Sequence, residues 1–420
     1  MARSRHLVHL ILVIFFFISL LTNIFGPIVP DIIRTFSVGL GAAGLLVFAF
    51  FIAYGVMSIP AGFLVERYRE KPVMTGAFLV AMLGSLGFAL HPTYKVAFVS
   101  LFVIGAGMAT LQVAINPLLR TAGGEEHFAL NETLAQLCFG SASFLSPWIY
   151  SYLVVHLPNA QYQGFFLSIL RWLTAKTFPW VSLYWLFALI AAGMALLLLF
   201  TRFPAVHHTL DESPGTLAMY KSLIKRPLVW FYFVAIFSYV GCEQGTANWM
   251  SQFLSYYHGV DPHTTGARAV SWFWGLMTTG CLAGVLLLRI FDSRRVLIGA
   301  ASGALITLSV ALFGPANVSV VAFPLVGLFA SVMWPIIISL ALNSVAEHHG
   351  SFTGILATGI MGGAILSVVI GRLGDQVGLR GGMALLYLTF GYVWSIGFWS
   401  KPLINNQTIR TKAQELQTNL

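Results

Sequence analysis

Uninterrupted apolar runs set the limits on what this chain can fold into. Leu7–Ile24 and Leu183–Phe200 contain no Asp, Glu, Lys or Arg. A run of about 20 such residues is the length of a helix across a bilayer. Only 9% of the 420 residues are charged, and the mean hydropathy is +0.83. A soluble globular chain carries about 25% charged residues. In water a chain this poor in charge would expose large apolar patches. In lipid every backbone N–H and C=O must be satisfied internally, which leaves helices or a closed barrel. Barrel strands alternate apolar and polar residues over about 10 positions. These runs do not alternate, so an all-α integral membrane protein is expected.

Twelve helices are predicted, at 7–30, 40–65, 72–91, 95–120, 131–155, 181–202, 228–257, 267–290, 295–314, 318–345, 351–372 and 382–400. The most polar internal stretch holds His207, His208, Asp211, Glu212, Lys221, Lys225 and Arg226. It divides an N-terminal six-helix bundle (1–202) from a C-terminal one (228–400), with 203–227 as a central cytoplasmic loop and 401–420 as a cytoplasmic tail. With both termini cytoplasmic, about 16 of the 23 Lys and Arg fall on the cytoplasmic side, the bias that sets orientation. The halves resemble each other. Ala61-Gly62 and Arg67, then Val73 and Gly76-Ala77, recur as Ala283-Gly284 and Arg289, then Val296 and Gly299-Ala300. Glu126-His127 likewise recurs as Glu347-His348.

Other features narrow the class. The net charge of +9 is scattered over short loops and forms no basic stripe, which argues for membrane orientation and against nucleic acid. Cys138, Cys242 and Cys281 lie in apolar segments without metal or redox spacing and read as packing residues. The basic start followed by a long apolar run reads as an uncleaved first helix, not a signal peptide. No Walker, nucleophile-elbow, HExxH or CxxC pattern occurs. Neither catalysis nor ATP hydrolysis is expected, and no cofactor or metal.

The loop between helices 2 and 3, Gly62-Phe-Leu-Val-Glu66-Arg67-Tyr68-Arg69-Glu70-Lys71, resembles the cytoplasmic signature Gly-x-x-x-Asp-Arg-x-Gly-Arg-Arg of the major facilitator superfamily. That superfamily's organisation, two six-helix bundles around a midplane solute site, fits the duplication. Glu stands for the Asp, and Arg69 for the second Gly. Gly62, Glu66, Arg67 and Arg69 are read as a latch across the cytoplasmic face that holds the outward-facing state. The alternative is ordinary positive-inside charge. Leu111-Gln112-Val-Ala-Ile-Asn116-Pro117, His127-Phe128-Ala-Leu-Asn131 and Phe139-Gly140 further resemble the fucose permease family of proton-coupled sugar transporters. Ile59-Pro60-Ala61-Gly62 also fits. The resemblance implies a sugar site and proton coupling. Here Gln112 stands where that family has a helix 4 carboxylate and Gly26 where it has a helix 1 aspartate. Leu134 and Leu137 replace polar helix 5 positions. The scaffold carries over; that proton relay does not.

Polar groups at membrane depth are functional candidates, because burying them is costly. Glu243, in Val240-Gly-Cys-Glu243-Gln244-Gly-Thr246-Ala-Asn248-Trp249 on helix 7, is the expected coupling acid, either exchanging a proton or holding Na⁺. Gln244, Asn248 and Gln252 recur at i, i+4 and i+8, one face of a helix, and are expected to line a cavity with Trp249 beside them. Gln112 and Asn116 share a face of helix 4. Asn23, Asn343 and one of Trp272 and Trp274 complete the candidate solute site. Asn131 reads as a cap, and Gly359, Gly362, Gly363 and Ala364 on helix 11 as a close-packing face.

These features predict a monomeric, multi-pass plasma-membrane transporter (inner membrane in a bacterium). It would move a small hydrophilic solute, a sugar first, by alternating access with H⁺ or Na⁺ coupling. An exporter of amphipathic compounds on the same fold, or an uncoupled facilitator, is the alternative.

Overall fold

The computed structural model describes residues 5–123, 128–159, 161–162, 164–174, 178–201, 203, 217–345 and 349–403. Among these, eleven helical spans are long and apolar enough to cross a membrane. One further helix, Pro227–His258, is longer than any of them, at 32 residues. It is less apolar than those spans because Glu243, Gln244, Asn248 and Gln252 fall within it. The twelve-helix expectation therefore holds, and the least apolar helix is the one with the strongest functional candidates.

In chain order, helix 1 is Arg5–Thr22 with Phe25–Phe36, helix 2 Leu40–Tyr68, helix 3 Glu70–Leu90, helix 4 Tyr94–Gly123, helix 5 Phe128–His156 and helix 6 Ser182–Phe200. Helix 7 is Pro227–His258, helix 8 Ala267–Ile290, helix 9 Ser293–Phe313, helix 10 Ala316–Ala330 with Met333–Leu342, helix 11 His349–Thr358 with Met361–Val377, and helix 12 Leu379–Met383 with Leu385–Trp399. Two short helices lie outside this set. Leu217–Ile224 sits in the expected central loop, and Phe165–Leu173 between the expected helices 5 and 6. The second is held by Arg171, whose guanidinium donates to the carbonyls of Leu157, Asn159 and Tyr162. Residues 202, 204–216 and 404–420, and the Glu126-His127 and Glu347-His348 pairs, lie outside the described residues.

Helices 1 and 10 are interrupted for the same reason. Pro27 has no N–H to donate to the carbonyl of Asn23, and Pro335 has none for Ser331, each four residues back. The helix stops and restarts at these points, with Ile24 at φ −91°, ψ −13° and Val332 at φ −90°, ψ −11°. In helix 10 the freed carbonyl of Ser331 accepts from the Cys281 thiol at 3.2 Å. Helix 11 breaks at Gly359–Ile360.

Within the N-terminal half, helices 3 and 4, 2 and 4, 3 and 6, and 1 and 5 pack together. Within the C-terminal half the pairs are 9 with 10, 8 with 10, 7 with 11 and 9 with 12. The glycines of helix 11 serve the third of these. Gly362 lies against the carbonyl of Phe237, and Gly363 against the Gln244 side chain, where any Cβ would collide. Between halves, helix 2 pairs with 11, helix 5 with 8, and the second part of helix 1 with 7.

Candidate functional site

The contacts between halves gather at the end of the bundle away from residue 5, called here the far end. At the start of helix 2 the backbone N–H of Leu40 donates to Asp375 Oδ1 at 2.7 Å, and that of Gly41 to Oδ2 at 2.8 Å. A carboxylate on the free N–H groups of a helix start is favoured by hydrogen bonding and by the helix dipole. Deeper along the same pair, a Cβ at Gly44 would stand 2.6 Å from the Ser367 carbonyl. Further on, Gly55 meets only Met361, at 3.8 Å, and Gly62 faces open space. Helices 2 and 11 thus diverge toward the end that carries residue 5.

Helices 5 and 8 follow the same course. At the far end Arg268 lies over the Trp148 ring at 5.5 Å. Ser271 Oγ donates to the Phe144 carbonyl at 2.8 Å, and Gly140 abuts Thr278. Beyond these, Leu134 of helix 5 and Leu282 and Leu286 of helix 8 are exposed. The chain is therefore closed at the far end and spread apart at the near end.

The far-end seal also contains a buried polar cluster. Asp31 of helix 1 accepts from the Tyr150 hydroxyl of helix 5 at 2.5 Å, and His263 Nε2, from the turn Pro262–Gly266 ahead of helix 8, stands 2.9 Å from its other oxygen. This cluster was not anticipated. Helix 1 was expected to end at residue 30, which put Asp31 in a loop; it runs to Phe36. An acid directly after Pro30 in an apolar stretch was the available signal.

Near the bundle's middle, Glu243 is half-buried, and its Oε1 accepts from Gln244 Nε2 at 3.0 Å. The Tyr239 hydroxyl one turn earlier also reaches it, and the Tyr239 ring lies 5.9 Å from that of Trp334 on helix 10. The amide stripe expected to line a cavity divides. Gln244 and Asn248 are buried against helix 11: Asn248 Nδ2 contacts Gln244 Oε1 at 3.5 Å and Ser367 Oγ at 3.4 Å. The partners of these amides are the small residues of helix 11, so in this conformation they face a neighbouring helix and not an open cavity. Gln252 is half-buried. Trp249 is fully buried against Gly371, with no partner for its indole N–H among the described residues.

The remaining candidates scatter. Asn23 is buried at the helix 1 break, donating to Ser143 Oγ at 2.8 Å in a network with Ser19 that ties helix 1 to helix 5. Gln112 is half-buried on helix 4; the side chain of Asn116 lies outside the described residues. Trp272 is exposed and edge-on to Phe144 at 5.5 Å, while Trp274 is buried. Asn343 ends helix 10 at the near end, where its carbonyl accepts from Leu403 N–H. In the expected latch, Arg67 and Arg69 are exposed, and Lys71 Nζ donates to the Leu199 carbonyl of helix 6. The Glu66 side chain lies outside the described residues. No group of His, Cys, Asp and Glu suited to a metal occurs among the described residues.

Two six-helix bundles, closed at one end around interrupted helices, are the architecture of a membrane transporter with a solute path between its halves. The chain belongs to the Major Facilitator Superfamily, which residues 11–367 match. Among curated relatives it is 28% identical over 393 residues to a glucose/galactose transporter of Brucella abortus, covering 90% of each chain. It is also 28% identical over 383 residues to the L-fucose-proton symporter of Escherichia coli, covering 87% of this chain and 86% of that one. Among solved structures, the E. coli fucose:proton symporter superposes with TM-score 0.66 at 22% identity, over 94% of this chain and 98% of that one. A bacterial homologue of the human lysosomal transporter Spinster, in an inward-facing and unoccupied conformation, gives TM-score 0.77 at 14% identity, over 94% and 96%.

Proposed function

We propose that the chain is a cation-coupled sugar transporter working by alternating access, with Glu243 as the coupling acid. The carrying observation is the one-ended closure. Helices 2 and 11 are joined through Asp375 at one end and stand apart at Gly62 at the other. Rocking the bundles would exchange the open end for the closed one. With both termini cytoplasmic, the conformation described is open inward. The exposure of Arg67 and Arg69 fits a cytoplasmic latch that is released in this state. The sugar follows from the relatives, which are named for glucose, galactose and L-fucose, and the proton from the symporter among them. Glu243 is supported by its position midway along helix 7 and by its partial exposure.

A second reading, transport of an amphipathic solute, has one observation in its favour. Gln244, Asn248 and Asn23 are engaged by neighbouring helices, while Leu134 is exposed on helix 5. Counterflow of radiolabelled glucose, galactose and fucose in proteoliposomes decides between them. Hexose exchange under counterflow, together with uphill hexose uptake driven by an inward proton gradient, supports the first reading. Dye efflux without hexose exchange overturns it.

A further inference from the structure

The resemblance between the halves breaks down at one far-end connection. Helix 11 passes to helix 12 through the single residue Gly378, whereas helix 5 ends at His156 and helix 6 begins only at Ser182. The longer connection holds the short helix Phe165–Leu173, which has two opposed faces. Leu167 and Leu170 are buried, and the helix packs against helix 6. Phe165, Ile169 and Trp172, at i, i+4 and i+7, share the opposite face, with Phe166 at its edge, and all four are exposed. Phe165 and Trp172 are 87% and 85% exposed, so nothing in the protein covers them. The helix carries one charge, Arg171, and its guanidinium donates to the carbonyls of Leu157, Asn159 and Tyr162. The outward face has no charge.

Those carbonyls fix the level of the helix. Leu157 directly follows helix 5, whose membrane-crossing span ends at His156, and the next crossing span opens at Pro179. The helix is thus pinned between the ends of two spans, where bilayer meets water. Other exposed aromatics join it to the outer surface of helix 5. The Tyr152 ring of that helix stacks on His156 at 4.4 Å, and Tyr162 stands edge-on to the same imidazole at 4.2 Å. Tyr152, Tyr162 and Val155 are all exposed.

We propose that Phe165–Leu173 is an interfacial anchor whose partner is the lipid of the far-end leaflet. Phe165, Ile169 and Trp172 enter the boundary between headgroups and acyl chains, while Leu167, Leu170 and Arg171 hold the helix to the protein. A helix with an apolar aromatic face is stable in that boundary, because its rings leave water and an indole N–H there still meets polar groups. In water the same face would stand as a bare apolar patch. Lipid is already present at this level, in contact with the span that the helix adjoins, so no further partner has to be recruited.

The proposal is independent of the solute and of the coupling acid. It is tested on full-length protein with Cys138, Cys242 and Cys281 replaced by alanine, in phosphatidylcholine nanodiscs. Spin labels are placed singly at Phe165→Cys and Trp172→Cys, with Ile169→Cys as a third site on the same face should either label disturb the helix. Leu189→Cys, exposed on the crossing helix 6, is the lipid reference, and His91→Cys, exposed at the far end beyond helix 3, is the water reference. Power saturation compares collisions with oxygen, which concentrates in lipid, and with a neutral nickel chelate, which stays in water. The oxygen-to-nickel ratio at the outward positions should exceed that at His91→Cys severalfold and approach that at Leu189→Cys. A ratio matching His91→Cys places the face in water and overturns the proposal. Low accessibility to both reagents means that protein covers the face, a second copy or another chain, and overturns it equally.

Discussion

Arg69 and Gly378 hold the same step of two loops with like spacing, and both have positive φ: +67° with ψ 169° at Arg69, +82° with ψ 153° at Gly378. Gly62 and Glu66 precede the first, and Gly371 and Asp375 the second, at matching offsets. This corner of backbone space is essentially restricted to glycine. One loop turns at the near end between helices 2 and 3, the other at the far end between helices 11 and 12. The far-end loop has its acid engaged, on the first N–H groups of helix 2.

Replacing Gly378 by alanine should therefore cost about 1–3 kcal/mol, read as a lower thermal midpoint in detergent. Arg69→Gly should act in the opposite sense. It relieves a comparable strain, offset by about 0.5–1 kcal/mol of added chain entropy, for a net gain of about 1 kcal/mol. A drop in midpoint for Arg69→Gly would show that the arginine side chain contributes more than its backbone costs.

Asp375→Asn keeps the shape of the far-end cap but loses its charge. Hydrogen bonds to charged groups contribute about 1.5–3 kcal/mol, so the closed population should fall by roughly tenfold. A cysteine introduced at Ala247, which lies beneath the seal against Gly26, reports this. Its alkylation rate by a water-soluble maleimide should rise in Asp375→Asn by a similar factor.

Gly44→Val places a branched side chain where even a Cβ would meet the Ser367 carbonyl at 2.6 Å. Helices 2 and 11 could then no longer close. Transport should fall by at least about tenfold, as expected when a closed state is penalised by more than about 1.4 kcal/mol, while the protein still purifies as a folded monodisperse species. Unchanged uptake would mean that the approach seen here is not used in the cycle.

Glu243→Gln retains the hydrogen-bonding shape of the side chain and removes its titration. Solute exchange under counterflow should persist, and accumulation driven by an imposed proton or sodium gradient should be lost. Retention of driven accumulation would move the coupling role elsewhere.

How much of this was legible in the sequence differs between fold and site. The twelve helices, the division into halves and the packing role of Gly362 and Gly363 could be read directly. Each depends on local composition, on repetition, or on small residues where backbones must approach. The short helix Phe165–Leu173 was not, because nine residues give too little periodicity and its anchor, Arg171, works through carbonyls that only folding brings near. The interruptions of helices 1 and 10 were written in Pro27 and Pro335, but their geometry emerged only from the backbone.

The candidate site shows the sharper contrast. The sequence by itself determined that polar groups would be buried at membrane depth, since lipid offers them no partner and each must find one in the protein. Which partner was a tertiary decision. Gln244 and Asn248 share a face, as their spacing required, yet that face turns to Ser367 and Gly363 of helix 11. Asp31 falls one residue past the expected end of helix 1, and packing makes it a junction between the two halves through Tyr150 and His263, residues more than a hundred positions away. Periodicity says which side chains share a face. The element that covers that face depends on how the bundles lean together, and in a molecule closed at one end and open at the other that also depends on the state it occupies.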